Sequence, residues 1–328
     1  MTADQPTVLC TMGPELRPLL EGKLAGLASV RFLSELDAAD RPGALAAADV
    51  LFCLRPQLEI GADWPSSPAW RFVQFMSAGV DHIDLSKFPA SARLACNAGG
   101  FSEPMAEHIL AMALALSKKL LYNHHRMQQG VFDQLSDTGT LRGKTAAIIG
   151  FGGIGQATAD LLRHFDMRIE AINTRGRSDY PADFIGTLAD LERVLRAADV
   201  LIVCLPLTPQ SVGLIGAREL AWLKPDAMLI NVARGEIIDQ KALYDWLVAN
   251  PQASAGIDAW WVEPFRHGEF RMEYPFLDLP NVLGSPHNSP RAPGGGQTSA
   301  ARACDNIARY LRGETPHGLL DPAKANMA

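Results

Sequence analysis

Three residue types that can move a proton and grip an anion stand in order in the last third of the chain: Arg234, Glu263 and His287. An arginine holds a carboxylate through two parallel hydrogen bonds. Histidine titrates near neutrality and can exchange a proton. A carboxylate beside the imidazole fixes its orientation and favours its protonated form. Each residue alone also has an ordinary use: Arg234 as a surface ion-pair partner, Glu263 as a turn cap ahead of Pro264, His287 as a structural histidine. Together, behind a nucleotide fingerprint, they match what a hydride-transfer site would need.

That fingerprint is Gly150-Phe151-Gly152-Gly153-Ile154-Gly155, a G-x-G-x-x-G run. Such a run is weak evidence alone, but here it follows the apolar stretch 145–149 and opens a helix predicted over 154–165. Gly150 permits the tight turn, Gly152 lets backbone approach a pyrophosphate, and Gly155 allows close helix–strand packing. The phosphates then meet the positive end of the helix. The next strand, 168–172, ends in Asn173, Thr174, Arg175, Gly176 and Arg177 where an NAD site usually carries an acid. Asn173 does not repel a 2′-phosphate, and Arg175 can neutralise one, so the cofactor expected is NADP(H) in preference to NAD(H). A solvated basic loop is the alternative.

The elements that must position these residues form two series of alternating strands and helices. In the first, strands are predicted over 7–10, 30–33, 50–53 and 72–75, with helices over 14–27 and 44–48. In the second, strands fall at 145–149, 168–172, 200–205, 228–232, 255–257 and 281–283, with helices over 154–165, 188–198, 217–223 and 240–249. Residues 102–121 read as one apolar helix with Met105, Ile109, Met112, Leu116 and Leu120 on a face, buried in a core or against another subunit. A last amphipathic helix, 300–311, needs a surface to cover, and the first domain offers one. The expected fold is α/β: two Rossmann-like, doubly wound parallel-sheet domains with a cleft between them. The boundaries expected are 1–97 plus 290–328 for a flavodoxin-like substrate domain and 98–289 for the dinucleotide domain.

Four segments lie at or beyond predicted strand ends, where ligands bind in open parallel sheets. They are Asn231-Val232-Ala233-Arg234-Gly235, Gly256-Ile257-Asp258, Trp261-Val262-Glu263-Pro264 and Ser285-Pro286-His287-Asn288. With Ser77-Ala78-Gly79-Val80-Asp81-His82-Ile83-Asp84, Asn97, Ala106-Glu107 and Leu205-Pro206-Leu207-Thr208, they make the sequence resemble the D-isomer-specific 2-hydroxyacid dehydrogenases over nearly its whole length.

The resemblance implies a set of roles. Arg234 binds the substrate carboxylate and polarises the carbonyl, while Glu263 orients His287, which protonates the alkoxide as hydride arrives. The amides of Ala78 and Gly79 hold the other side of the carboxylate. Asp258 contacts the nicotinamide carboxamide and Met105 lies near the ring. Cys204, Leu205 and Pro206 flank the adenosine, and Val232 and Ala233 belong to the cofactor wall. The apolar helix implies a homodimer. Asp258 has an alternative use as a helix or loop cap. Arg55, closing the strand 50–53, is a candidate contact for a polar substrate tail, with a surface arginine as the alternative. The substrate class is a small 2-oxo acid of the glyoxylate or hydroxypyruvate kind, reduced to the D-2-hydroxy acid. A cofactor-sensing corepressor without turnover is the competing function. In formate dehydrogenases the histidine's partner is glutamine, so Glu263 argues against that reaction.

Bulk properties exclude other classes. The net charge of −6 is spread without a basic stripe, which argues against nucleic acid. No run reaches the apolar length of a membrane helix, so no membrane partner is expected. Five dispersed cysteines, most of them among apolar neighbours, read as free thiols in a cytoplasmic enzyme. The adjacent His124 and His125 diverge on a helix and lack a third ligand, so no metal site is expected.

Overall fold

The computed structural model describes residues 5–321. It comprises two compact units. One ends at Phe101 and resumes at Ala292; the other runs from Ser102 to Arg291.

The first unit is built on strands β1 (Thr7–Cys10), β2 (Ser29–Phe32), β3 (Val50–Cys53), β4 (Phe72–Phe75) and β5 (Arg93–Ala95). All pair in parallel, in the order β2-β1-β3-β4-β5 of a flavodoxin-like sheet. The central strands β3 and β4 are buried throughout, which is why they read as continuous apolar runs rather than alternating ones. Leu20 and Leu24, from the helix Arg17–Leu24, pack on the sheet with Ala303 and Ile307 from the helix Gly295–Leu311. Leu45, Ile60, Trp70 and Phe88 fill a second core cluster. The C-terminal helix thus completes the first unit, and it begins five residues before the predicted start at Ala300.

In the second unit the strands are β6 (Thr145–Ile149), β7 (Arg168–Ile172), β8 (Phe184–Gly186), β9 (Val200–Val203), β10 (Met228–Asn231), β11 (Ser254–Ile257) and β12 (Val282–Gly284). Their order is β12-β11-β10-β9-β6-β7-β8, again all parallel. The chain starts at β6, moves outward through β7 and β8, then returns to β9 on the other side. Its topological switch point therefore lies between β6 and β9, where open α/β sheets bind ligands.

Two edge strands of three residues, β5 and β8, are additional to those expected from the sequence. The apolar helix read over 102–121 is two helices, Ser102–Ser117 and Leu120–Gln128, separated by Lys119 in the left-handed region at φ 51°. Met105, Ala106, Ile109, Met112 and Ala113 of the first are buried. That helix packs on the helix Gly153–Arg163 and across β10 and β11. Each fully buried Leu or Ile of this kind contributes about 1.5–3 kcal/mol. Among the described residues no helix is long and apolar enough to cross a membrane.

Candidate active site

β6 delivers the chain into the glycine turn at the switch point. Gly150 has φ 108°, and a Cβ there would lie 2.7 Å from the backbone of Cys204 and Leu205. Only glycine lets these two strand ends approach so closely. A Cβ on Gly155 would sit 2.4 Å from the Gly150 carbonyl oxygen, so the helix beginning at Gly153 presses on the turn. At Gly152, by contrast, an added Cβ meets nothing within 4 Å. Gly152 caps the helix without a side-chain hydrogen bond. The first-turn amides of Gly153, Ile154 and Gly155 have no acceptor within the helix, and they carry its positive end. Open space over Gly152 and these first-turn amides fit a pyrophosphate.

Cys204 donates from its thiol to the Gly150 carbonyl at 3.1 Å, and burial pushes that thiol up to about 12. Leu205 and Pro206 continue past it, with Pro206 exposed. At the end of β7, Asn173 folds the following loop onto itself. Its Oδ1 accepts the Arg175 amide at 2.9 Å and its Nδ2 donates to the Arg177 carbonyl at 3.0 Å. Thr174, Arg175 and Arg177 are exposed.

Arg234 leaves the end of β10 inside a turn organised by Asn231. The Asn231 side chain accepts the Ala233 amide at 3.0 Å and donates to the Arg234 carbonyl at 2.9 Å. Val232 and Ala233 are buried, and Arg234 is half-buried with Nη1 donating to the Ala233 carbonyl at 2.7 Å. Gly235 allows this turn to touch the next one, since a Cβ there would stand 2.4 Å from the Trp260 carbonyl carbon.

Glu263 follows directly in that neighbouring turn. Both its oxygens lie on Nδ1 of His287, at 2.9 and 2.7 Å. The Trp260 amide donates to Oε1 at 2.6 Å, and the Glu263 amide donates to Nδ1 of His267 at 3.0 Å. Burial pushes the Glu263 carboxyl up, but the hydrogen bond and charge of His287, the Trp260 amide and the charge of Arg234 outweigh it. The net result is a pKa below the ordinary 4.5. An acceptor pair on Nδ1 requires Nδ1 to carry the hydrogen, so Nε2 is the nitrogen that can exchange a proton with a bound molecule. His287 itself is held at φ 51°, a conformation that costs a non-glycine residue about 1 kcal/mol or more.

Asp258, at the end of β11, is fully buried. Its carboxylate accepts the Ser285 hydroxyl at 2.5 Å and the amides of Asn288 and Ser289 at 3.2 Å each. It therefore caps the turn that carries His287. Met105 is buried in the helix Ser102–Ser117. His108, one turn further along, reaches Ser285 Oγ at 3.0 Å. The sequence alone assigns neither His108 nor Ser285 a role. The one local signal was the step from Met105 to His108 on a single helix face.

In the first unit the expected substrate contacts sit just beyond strand ends. Arg55 follows β3, its amide held at 2.7 Å by Glu59 Oε1 while the Leu54 amide donates to Oε2 at 3.2 Å. Ala78 and Gly79 follow β4, half-buried in a loop. The second unit gathers Arg234, Glu263 and His287 into one electrostatic cluster.

Comparison with known proteins agrees with this architecture. The family described as "D-isomer specific 2-hydroxyacid dehydrogenase, NAD binding domain" matches residues 110–289. Glyoxylate/hydroxypyruvate reductase B of Pectobacterium carotovorum is 33% identical over 227 residues, covering 67% of this chain and 69% of that protein. Glyoxylate reductase of Pyrococcus furiosus is 28% identical over 265 residues, 78% of this chain and 77% of its own. In fold, the chain resembles a D-isomer-specific 2-hydroxyacid dehydrogenase from Xanthobacter autotrophicus Py2. The TM-score is 0.78 at 24% identity, over 98% of this chain and 99% of that one. With a dinucleotide turn at the switch point and the family match across the unit that carries it, the chain belongs to the D-isomer-specific 2-hydroxyacid dehydrogenases, oxidoreductases that work with a nicotinamide dinucleotide.

Proposed function

We propose that this enzyme reduces a small 2-oxo acid of the glyoxylate or hydroxypyruvate kind to the D-2-hydroxy acid, with His287 as proton donor and NADP(H) preferred to NAD(H). The observation that carries the reading is the Glu263 carboxylate seated on Nδ1 of His287, which makes Nε2 the proton-exchanging nitrogen. When bound, the nicotinamide supplies the hydride. Arg234 binds the substrate carboxylate and draws electron density from the carbonyl oxygen. His287 delivers the Nε2 proton to that oxygen as the new C–H bond forms, and Glu263 holds the ring in place through Nδ1. Asp258 and Met105 serve the nicotinamide end of the cofactor site, with Val232 and Ala233 along its wall and Leu205 and Pro206 by the adenosine. Within the first unit, Ala78, Gly79 and Arg55 are the residues assigned to the substrate. The relatives named as glyoxylate and hydroxypyruvate reductases support the substrate class.

The cofactor preference rests on Asn173, which folds the loop without presenting a carboxylate, and on the exposed Arg175 and Arg177. A homodimer is supported by the apolar side chains beyond the helix Ser102–Ser117: Leu120 is 58% exposed, Met127 57%, Phe132 70% and Leu135 94%. Five free cysteines accord with a cytoplasmic location. The test is consumption of reduced nicotinamide with NADPH or NADH and a panel of glyoxylate, hydroxypyruvate, pyruvate and bulkier 2-oxo acids. Faster turnover of glyoxylate or hydroxypyruvate with NADPH supports the reading. Cofactor binding without turnover of any 2-oxo acid contradicts it.

A further inference from the structure

The turn that carries His287 is held from both sides by one carboxylate. Asp258 accepts from the Ser285 hydroxyl two residues before His287 and from the amides of the two residues after it. The turn is therefore clamped across the residue whose backbone lies in the left-handed region. Ser285 is fixed in turn by His108. The Ser285 hydroxyl has a single hydrogen, and at 2.5 Å it is committed to Asp258 Oδ1. His108 Nε2, 3.0 Å from the same hydroxyl oxygen, must then donate to it, which assigns its tautomer. Nε2 also lies 3.7 Å from Asp258 Oδ1, so a charge on His108 would be felt by the carboxylate directly. Trp260 closes the arrangement, its ring N–H on the Ser285 carbonyl at 2.8 Å and its amide on Glu263. Both neighbours of the imidazole, the turn and the glutamate, are thus tied to one network.

We propose that His108 and Ser285 are positioning residues for proton transfer: through Asp258 they hold the His287 turn so that the imidazole stays seated on Glu263. Neither side chain has a place in the proton step itself. Their effect is on where His287 Nε2 lies, and a displacement of about 1 Å at a reacting group can cost on the order of 100-fold in rate. This positioning role presupposes His287 as proton donor, and the experiment below separates the two.

Ser285→Ala and His108→Leu are compared with the conservative Ser285→Thr and His108→Gln, which keep a hydroxyl and a donor. Each is assayed for kcat, KM and cofactor dissociation constant. The Nδ1-bound proton of His287 is followed by NMR in enzyme without substrate. The expected result is a fall in kcat of about 10-fold or more for the first pair, with cofactor binding unchanged within about 2-fold. The His287 resonance shifts or broadens in both, and the conservative pair restores kcat and resonance together. Unchanged kcat and an unchanged resonance in Ser285→Ala and His108→Leu would overturn the proposal. So would loss of cofactor binding in step with kcat, which marks a merely structural role. If His287→Ala retains turnover, the proton-donor reading fails, and the resonance alone decides whether the network positions the turn.

Discussion

Glu263 places both carboxylate oxygens on one nitrogen of His287, at 2.9 and 2.7 Å, while its Oε1 also takes the Trp260 amide. The glutamate is thereby fixed from two directions before any substrate arrives. Glu263→Gln keeps the shape and an acceptor for Trp260 but loses the negative charge seated beside His287 Nδ1. The expected outcome is a drop in kcat of roughly 100-fold or more with cofactor affinity unchanged, read by steady-state kinetics and cofactor fluorescence titration.

The same carboxylate links acidity to stability. Burial raises the Glu263 pKa and its His287, Trp260 and Arg234 partners lower it further, leaving it below 4.5. Asp199, raised by burial and lowered more by the Thr145 amide and Lys224, lies below its ordinary 3.8. A depressed folded-state pKa means stability that is complete above the ordinary value and lost as pH falls through the folded one. Denaturant unfolding should therefore show stability falling below about pH 4.5, less steeply in Glu263→Gln.

Two neighbouring glycines should fail in different ways. Gly150→Ala puts a methyl 2.7 Å from the Cys204–Leu205 backbone at φ 108° and should destabilise the fold by about 1–3 kcal/mol or more. Gly152→Ala meets open space, so the melting temperature should hold while cofactor affinity falls. Thermal melts with cofactor titrations distinguish them.

Asn173→Asp keeps an acceptor for the Arg175 amide and adds a charge where a 2′-phosphate is expected. The ratio of kcat/KM for NADPH over NADH should fall by about 10-fold or more, since each 1.4 kcal/mol of repulsion is tenfold. An unchanged ratio would remove Asn173 from the cofactor argument.

How much of this was legible in the sequence follows the range of each interaction. The glycine turn and its flanking strand and helix are local, and their pattern is complete within a few residues of Gly150. The left-handed break at Lys119 carries no Gly or Pro to announce it, so one helix was expected where two occur. The edge strands β5 and β8 take their identity from partners already in the sheet. The Asp258 cap is intelligible only when β11 and the turn after β12 lie side by side. His108 and Ser285 are 177 residues apart and meet through tertiary packing alone.

The role of His287 as proton donor is tested by comparing His287→Ala with the unaltered enzyme under saturating NADPH and a 2-oxo acid it turns over. The expected outcome is a fall in kcat of at least about 100-fold while the cofactor dissociation constant holds. Turnover within a few-fold of the unaltered enzyme, at the same cofactor affinity, would contradict it.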